Sequence, residues 1–335
     1  MSLYMDINKE FKNFKLNIKL DLKNEIVGIL GYSGSGKSIT LKTIAGIINP
    51  DWGKIILDNK KLFSSKEKIN IPTRKRKVGY LFQDYALFPN LSAIDNIRIC
   101  LPKERRDEAE EFLKRFHVYD VKDQKPFELS GGEQQRVALS RMICVNPDII
   151  LLDEPFSALD SGLKWEIQNE FIKFLKTYNK TTIFVSHDKD EIYRLCDKVA
   201  IIDNGSVISY DDKDKIFNHP ISLKAAKIIG VKNITTVIRK DDYLYSKDWN
   251  TSFDLKENAR YVAFKDDIFS LEKGNSYIDF DIENIIEDTK NIILVSKGYN
   301  KITATFDKKN IDKSLLERNH KVRLFYDEKN LMTFK

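Results

Sequence analysis

Three short segments of this chain combine residue types and spacings suited to phosphate chemistry. The first is GYSGSGKS, Gly31 to Ser38, with Ile39 opening the apolar run that follows. Gly31, Gly34 and Gly36, with Tyr32, Ser33 and Ser35 between them, let backbone N–H groups curl around phosphate oxygens. A helix starting there adds its positive end. Lys37 can reach the outer phosphates, and the Ser38 hydroxyl can hold Mg²⁺. The second segment is IILLDEP, Ile149 to Pro155. It sets Asp153 and Glu154 at the end of a buried strand, where ligands of such sheets gather. Asp153 suits Mg²⁺, directly or through water, and Glu154 is placed to polarise an attacking water. The third is LSGGEQQR, Leu129 to Arg136. Ser130 and Glu133 have the spacing of a helix capping box, a sufficient local reason for both. Capping does not explain Gly131 and Gly132, each costing roughly 1 kcal/mol inside a helix. Bare backbone there lets a phosphate approach the N–H groups.

These segments need a scaffold, and the pattern supplies one. Apolar β-rich runs at Ile26–Leu30, Val78–Phe82, Ile149–Leu152, Thr182–Val185 and Val199–Ile202 alternate with helix-period stretches. One such stretch is the stripe Leu163, Ile167, Phe171, Phe174, Leu175 and Tyr178. Short apolar strands separated by helices predict an α/β unit with a mostly parallel sheet. From about residue 85 to 146 the pattern is helical, which predicts a helical subdomain inserted between two strands. Beyond Lys232 the texture becomes β-rich, with pieces at Arg260–Phe264, Tyr277–Phe280, Ile292–Val295, Lys301–Phe306 and Lys321–Tyr326. The expected division is an α/β unit over residues 1–232 and a small all-β barrel or sandwich over 233–335.

Composition narrows the classes. With 335 residues, two domains are the natural expectation, and 42% hydrophobic content fits folded domains. No apolar run approaches the roughly 18 residues of a spanning helix, and MSLYMDINKEFKNF lacks a signal-peptide core. Cys100, Cys144 and Cys196 are scattered without CxxC spacing, which reads as three small hydrophobes in a reducing compartment. Net charge is +6, but the lysines are dispersed, so no nucleic-acid partner is expected. The RKRK run, Arg74 to Lys77, reads as a solvated approach to a buried strand.

Taken together, Met1 to Val231 resembles the nucleotide-binding subunit of ATP-binding-cassette (ABC) transporters. The resemblance implies a P-loop ATPase with ATP and Mg²⁺ as ligands, and a C-terminal domain of the OB/MOP type. It gives Gln83, after VGYLF, as a residue contacting Mg²⁺ and water and facing the membrane partner. Asp160, in SALD, becomes a contact across a dimer, and His187, in FVSHD, the residue that meets the γ-phosphate. Phe11 is the first choice for the aromatic stacked on adenine, and Phe14 the alternative. Glu133 departs from the family's usual glutamine, as in related importers.

In the family each ATP lies between the phosphate loop of one subunit and the signature of another, so the resemblance implies a homodimer with composite sites. It implies a permease held through the Gln83–Ile97 region, an external solute-binding protein acting indirectly, and a place on the cytoplasmic face of the cell membrane. The short N-terminal stretch and GVKNIT, Gly230 to Thr235, are most similar to molybdate, tungstate or sulfate importers. Polyamine, iron and sugar importers remain alternatives, as does a soluble non-transport ATPase. The C-terminal domain is expected either to bind the oxyanion or to stabilise the dimer.

Overall fold

The computed structural model describes residues 2–156, 161–298, 300–309, 311 and 320–335. The chain divides into two compact units, Met1–Ile216 and Phe217–Lys335. That division falls earlier than the 232/233 boundary drawn from texture. A helical stretch, α8 below, stands between the two positions, and its composition matches the α/β part.

Among the described residues, the first unit holds an 11-stranded sheet. Its strands are β1 (Leu3–Phe11), β2 (Phe14–Leu22), β3 (Ile26–Leu30), β4 (Trp52–Leu57), β5 (Lys60–Ser64), β6 (Ile69–Asn70), β7 (Val78–Leu81), β8 (Ile149–Asp153), β9 (Thr182–Val185), β10 (Lys198–Asp203) and β11 (Ser206–Asp212). They lie in the order β6-β5-β4-β1-β2-β11-β10-β3-β9-β8-β7. Its helices are α1 (Lys37–Ala45), α2 (Ala93–Arg98), α3 (Ala109–Arg115), α4 (Gly131–Cys144), α5 (Ser161–Tyr178) and α6 (Lys189–Leu195), and α7 (Lys213–Asn218) runs through the division. The helical insertion is α2, α3 and α4 with short 3₁₀ turns between them.

The sheet is mixed rather than mostly parallel. Strands β10, β3, β9, β8 and β7 run parallel, whereas β1, β2, β4, β5 and β6 pair antiparallel, as do β10 and β11. Two kinds of sequence produce the two halves. IVGIL in β3 and IILLD in β8 are buried at every position, as strands covered on both faces must be. FKLNIKLDL in β2 alternates buried and exposed residues, the signature of a strand with one wet face. Leu16, Ile18, Leu20 and Leu22 from that strand join Val27, Ile29, Leu151, Ile183 and Ile202 in one core.

Arg76 corrects the reading of RKRK as wholly solvated. Its side chain is fully buried. The guanidinium donates to the carbonyl oxygens of Thr43 (3.1 Å) and Ile44 (2.8 Å) in the last turn of α1, and to Ile71 (2.7 Å). A cation placed at the negative end of a helix satisfies carbonyls that lack intrahelical partners. Gly46, left-handed at φ 79°, makes the room: a Cβ there would sit 2.5 Å from Arg76 Nε.

After the end of α7, the second unit carries α8 (Leu223–Ile229) and is otherwise built on strands among the described residues. These are β12 (Asn233–Thr236), β13 (Ile238–Lys240), β14 (Tyr243–Ser246), β15 (Thr251–Phe253), β16 (Tyr261–Phe264), β17 (Ser276–Glu287), β18 (Asn291–Ser296), β19 (Thr303–Asp307), β20 (Lys321–Tyr326) and β21 (Met332–Phe334). They form the sheets β12-β16-β21, β13-β14-β15 and β19-β18-β17-β20, all antiparallel, as the all-β expectation required. The long β17 pairs with β20 through its first half and with β18 through its second, with a register shift at Ile282/Asn284. Such a shift bends a strand and lets it serve two partners. Phe253, Phe264, Phe280, Leu294 and Leu324 fill the core beneath.

Candidate functional site

Strand direction decides where the polar residues go. β3, β9, β8 and β7 are neighbours and parallel, so their carboxyl ends share one edge of the sheet. From that edge leave the loop Gly31–Ser38 after β3, His187 after β9, Asp153 and Glu154 at the end of β8, and Gln83 after β7. Four segments far apart in sequence thus meet without any of them bending back.

The loop before α1 is shaped by its glycines, which are there for different reasons. A Cβ on Gly31 would lie 2.2 Å from the backbone oxygen of Ile202, so only glycine fits. Gly36 caps α1 at φ 107°, a conformation that L side chains rarely adopt. Gly34 is left-handed too, at φ 77°, but a Cβ there would meet nothing within 4 Å. Backbone conformation, not crowding, asks for glycine at that position, and the loop is open on that side. Ser35 Oγ is buried with no hydrogen-bond partner among the described residues. The Lys37 ammonium donates to the loop's own carbonyls, Gly31 O at 2.8 Å and Tyr32 O at 2.9 Å. Burial lowers the Lys37 pKa, and the carboxylates of Glu154 and Asp153 oppose that shift. An anion entering the loop would meet a helix N-terminus and a cation held by neutral acceptors.

Asp153 accepts hydrogen bonds from Ser38 Oγ at 2.9 Å and from the Tyr80 hydroxyl at 3.0 Å. Burial, and then the Asp153 charge, push the Tyr80 phenol up, keeping it a donor. Glu154 accepts from Gln83 Nε2 at 3.3 Å, and His187 Nδ1 stands 3.4 Å from the same oxygen. The Glu154 backbone is left-handed, φ 49°, and its N–H donates to Val185 O at 2.9 Å. A non-glycine residue in that region is strained. The strain turns the carboxylate out of strand direction, toward Gln83 and His187.

Tyr80 was not singled out by sequence reasoning. The available signal was a hydroxyl-bearing residue in the otherwise apolar VGYLF. Gln134 was also missed: its Nε2 donates to Pro126 O (3.0 Å) and Leu129 O (3.1 Å), holding the turn that precedes α4.

Among the described residues no group of three or more His, Cys, Asp or Glu side chains is arranged to hold a metal ion. Ser38 and Asp153, hydrogen-bonded to each other at 2.9 Å, offer a hydroxyl and a carboxylate oxygen beside the phosphate loop, and Gln83, bonded to Glu154, brings an amide oxygen to the same sheet edge. That donor set fits Mg²⁺, which keeps waters and takes its remaining ligands from substrate phosphates.

The other two expectations fall differently. Ser130 caps α4 and completes the capping box: Glu133 N–H donates to Ser130 Oγ, and Ser130 N–H donates to the Glu133 carboxylate at 2.8 Å. The Ser130 hydroxyl, donating to the same carboxylate at 2.7 Å, and then the Ser130 N–H hold the Glu133 carboxyl below its usual range. Gly131 and Gly132 form the first turn of α4, and Gly132 is buried. Asp160 lies outside the described residues. Phe11 ends β1 and is 36% exposed, with its ring centroid 6.1 Å from that of Phe14. The Phe14 ring packs against the phosphate loop, since a Cβ on Gly36 would lie 2.9 Å from its Cζ.

A mixed sheet with a glycine loop between β3 and α1 defines a P-loop nucleotide-binding fold. Comparison with known proteins agrees: the ABC transporter family matches residues 12–157. The Fe(3+) ions import ATP-binding protein FbpC of Haemophilus influenzae (strain 86-028NP) is 39% identical over 214 residues, 62% of this chain and 60% of that protein. This chain therefore aligns with less than two thirds of that relative's length. The spermidine/putrescine import ATP-binding protein PotA of Clostridium novyi is 32% identical over 297 residues, 83% of each chain. Other relatives are named for molybdenum, sulfate/thiosulfate and glucose import. Among solved structures, a dimeric ATP-binding cassette in a post-hydrolysis state, bound to ADP and phosphate, superposes with a TM-score of 0.55 at 31% identity. It covers 64% of this chain and 99% of that one. The chain belongs to the ABC transporter family.

Proposed function

We propose that this protein binds ATP with Mg²⁺ at the β3–α1 loop and hydrolyses it to ADP and phosphate between two facing copies, powering solute import through a membrane permease. The observation that carries this reading is the shared edge, where Lys37, Ser38, Gln83, Asp153, Glu154 and His187 leave four parallel strands together.

Phosphoryl transfer to water needs positioning and charge neutralisation more than covalent chemistry. Lys37 would exchange its carbonyl partners for phosphate oxygens, a stronger, charge-assisted pairing. Ser38 and Asp153, with Gln83, would hold Mg²⁺. The ion supplies neutralisation of phosphate charge when bound. Glu154 orients the attacking water and draws on its proton, with Gln83 and His187 fixing the carboxylate. His187 Nδ1 lies near Glu154, leaving the other ring nitrogen for the γ-phosphate. Phe11 is the aromatic we assign to adenine, because Phe14 already supports the loop.

The second half of each site would come from the partner copy: Ser130, Gly131, Gly132 and Glu133 at the start of α4, with Asp160. By two-fold symmetry one surface serves both copies. The Gln83–Ile97 segment would receive the permease, with an external binding protein delivering the solute. This places the chain peripherally on the cytoplasmic face of the membrane. No helix among the described residues is long and apolar enough to cross it.

For the solute, similarity of the N-terminal stretch and of GVKNIT supports an oxyanion such as molybdate, tungstate or sulfate. A second reading, a polyamine, is supported by the alignment with the spermidine/putrescine relative, which is long enough to run into the second unit. Asn233 counts against an oxyanion sensor built on that residue. Its amide donates to Thr303 O at 2.8 Å and accepts from Thr303 N at 2.8 Å, so its bonding capacity serves the fold.

The decisive experiment is ATP turnover by Glu154→Gln: nucleotide binding and dimerisation should persist while hydrolysis nearly stops. Wild-type turnover in that variant removes Glu154 from its role. Uptake of molybdate against spermidine in a deletion strain separates the solutes.

A further inference from the structure

Glu191, in the first turn of α6, is a buried carboxylate to which the proposed chemistry gives no task. Three elements share it. One oxygen accepts from Lys164 Nζ at 2.6 Å and from Gln168 Nε2 at 2.9 Å, both on α5, and the other accepts from Ser186 Oγ at 2.6 Å, just past β9. Ser186 Oγ, with its proton given to Glu191, accepts from the Asp188 N–H at 3.0 Å. Asp188 caps α6 through the N–H groups of Asp190 and Glu191, at 3.0 and 3.3 Å, and its second oxygen accepts from Lys164 at 3.3 Å. Gln168 is fully buried, and its carbonyl oxygen accepts from Arg194, one turn along α6. Both neighbours of His187 are thus tied into one cluster. The His187 side chain between them is 71% exposed, with Nδ1 3.4 Å from Glu154.

Stability gives weak support for such a cluster, since well-packed apolar residues of similar volume often hold a fold as firmly as a buried ion pair. Directed bonds do something that apolar packing does not: they fix an angle as well as a position. Lys164 and Gln168 stand on a separate helix, so the His187 segment is referenced to α5 and not to α6 alone. The one side chain of the segment left outside the cluster is the imidazole beside Glu154.

We propose that Glu191 and Lys164 are positioning residues for His187. The inference rests on the γ-phosphate role proposed above for that histidine. Neither residue touches a reacting group. They hold Ser186 and Asp188, and through that stretch of backbone they hold the imidazole. Misplacing a group by about 1 Å at such a site can cost about 10²-fold in rate. Removing one anchor leaves the others in place, so the expected loss is smaller. It should fall on turnover and not on nucleotide binding, which the proposed site assigns to Lys37 and the phosphate loop.

The test measures steady-state ATP turnover of the full chain over a range of ATP concentrations, with the folded fraction followed by thermal melting. Glu191→Gln keeps the side chain's shape but turns an amide N–H toward one set of donors. Its kcat should fall about tenfold or more while KM stays within about twofold, and Lys164→Met should behave alike. Ser186→Ala gives the same reading if Glu191→Gln fails to fold. The discriminating step is the double variant. In a His187→Ala background, Glu191→Gln should lower kcat by no more than about twofold, because its effect passes through the missing imidazole. A merely structural anchor would instead multiply the two losses, and that result overturns the proposal. Wild-type kcat in both Glu191→Gln and Ser186→Ala also overturns it, as does a loss of turnover matched by loss of folded protein. Wild-type turnover in His187→Ala is a different failure: it removes the role proposed for His187, and this inference with it.

Discussion

The phosphate edge of the first unit and the opening strand of the second treat their polar side chains in opposite ways. At the edge, Ser35 Oγ is buried with no partner among the described residues, Lys37 rests on loop carbonyls, and Glu154 is held in a strained backbone. In β12, Asn233 is locked to Thr303 from both ends of its amide, and Thr235 pairs with Ser246 at 2.6 Å. Trp249 in the same unit donates to Asn300 O at 2.8 Å. Buried polar groups are normally satisfied, and unsatisfied ones call for an explanation. The edge keeps polar capacity that folding does not consume, whereas β12 uses its capacity on the fold itself.

Substitutions can break that contrast. The largest effect is expected at Glu154→Gln, where ATP hydrolysis should fall about 10²–10⁴-fold with the thermal midpoint nearly unchanged. Phosphate release under saturating ATP checks it, and a large loss of stability would place Glu154 with the self-satisfied groups. Asn233→Ala should do the reverse, costing about 1–3 kcal/mol in denaturant unfolding of the second unit while turnover stays normal. Phe11→Ala should weaken nucleotide binding by about 1–3 kcal/mol, by analogy with base–aromatic stacking, and leave stability alone. Titration with a fluorescent ATP analogue measures this, and unchanged affinity would move the adenine contact elsewhere. The smallest effect is expected at Tyr80→Phe. Loss of one neutral donor to Asp153 should cost about 1 kcal/mol in Mg²⁺-dependent ATP affinity, read by titrating the metal.

Much of the edge was legible because its signals are local. A phosphate loop, a buried strand ending in carboxylates and a capping box each fit within eight residues, and the five parallel strands announce themselves as unbroken apolar runs. The antiparallel half was not read. Its strands alternate, as in KLNIKLDL, and charged or polar residues every second position dilute the apolar signal that marked the others. Arg76 shows a different limit. Within RKRK, composition gives no indication that one of four cations turns inward, because α1's carbonyls reach it only after folding. Tyr80 escaped for the same reason: its partner Asp153 is distant in sequence and adjacent only through β7–β8 pairing.

The left-handed backbone of Glu154 has a consequence for how this position can vary. Glycine would relieve the strain, by about 1 kcal/mol or more, and would delete the carboxylate in the same step. Relief of that strain, less glycine's greater loss of chain entropy on folding, favours a glycine there, and the turnover proposed for Glu154 is what would oppose it. Under the role proposed for Glu154, stability and activity pull in opposite directions at this residue. A copy of the fold released from hydrolysis has a ready route to becoming sturdier and inert.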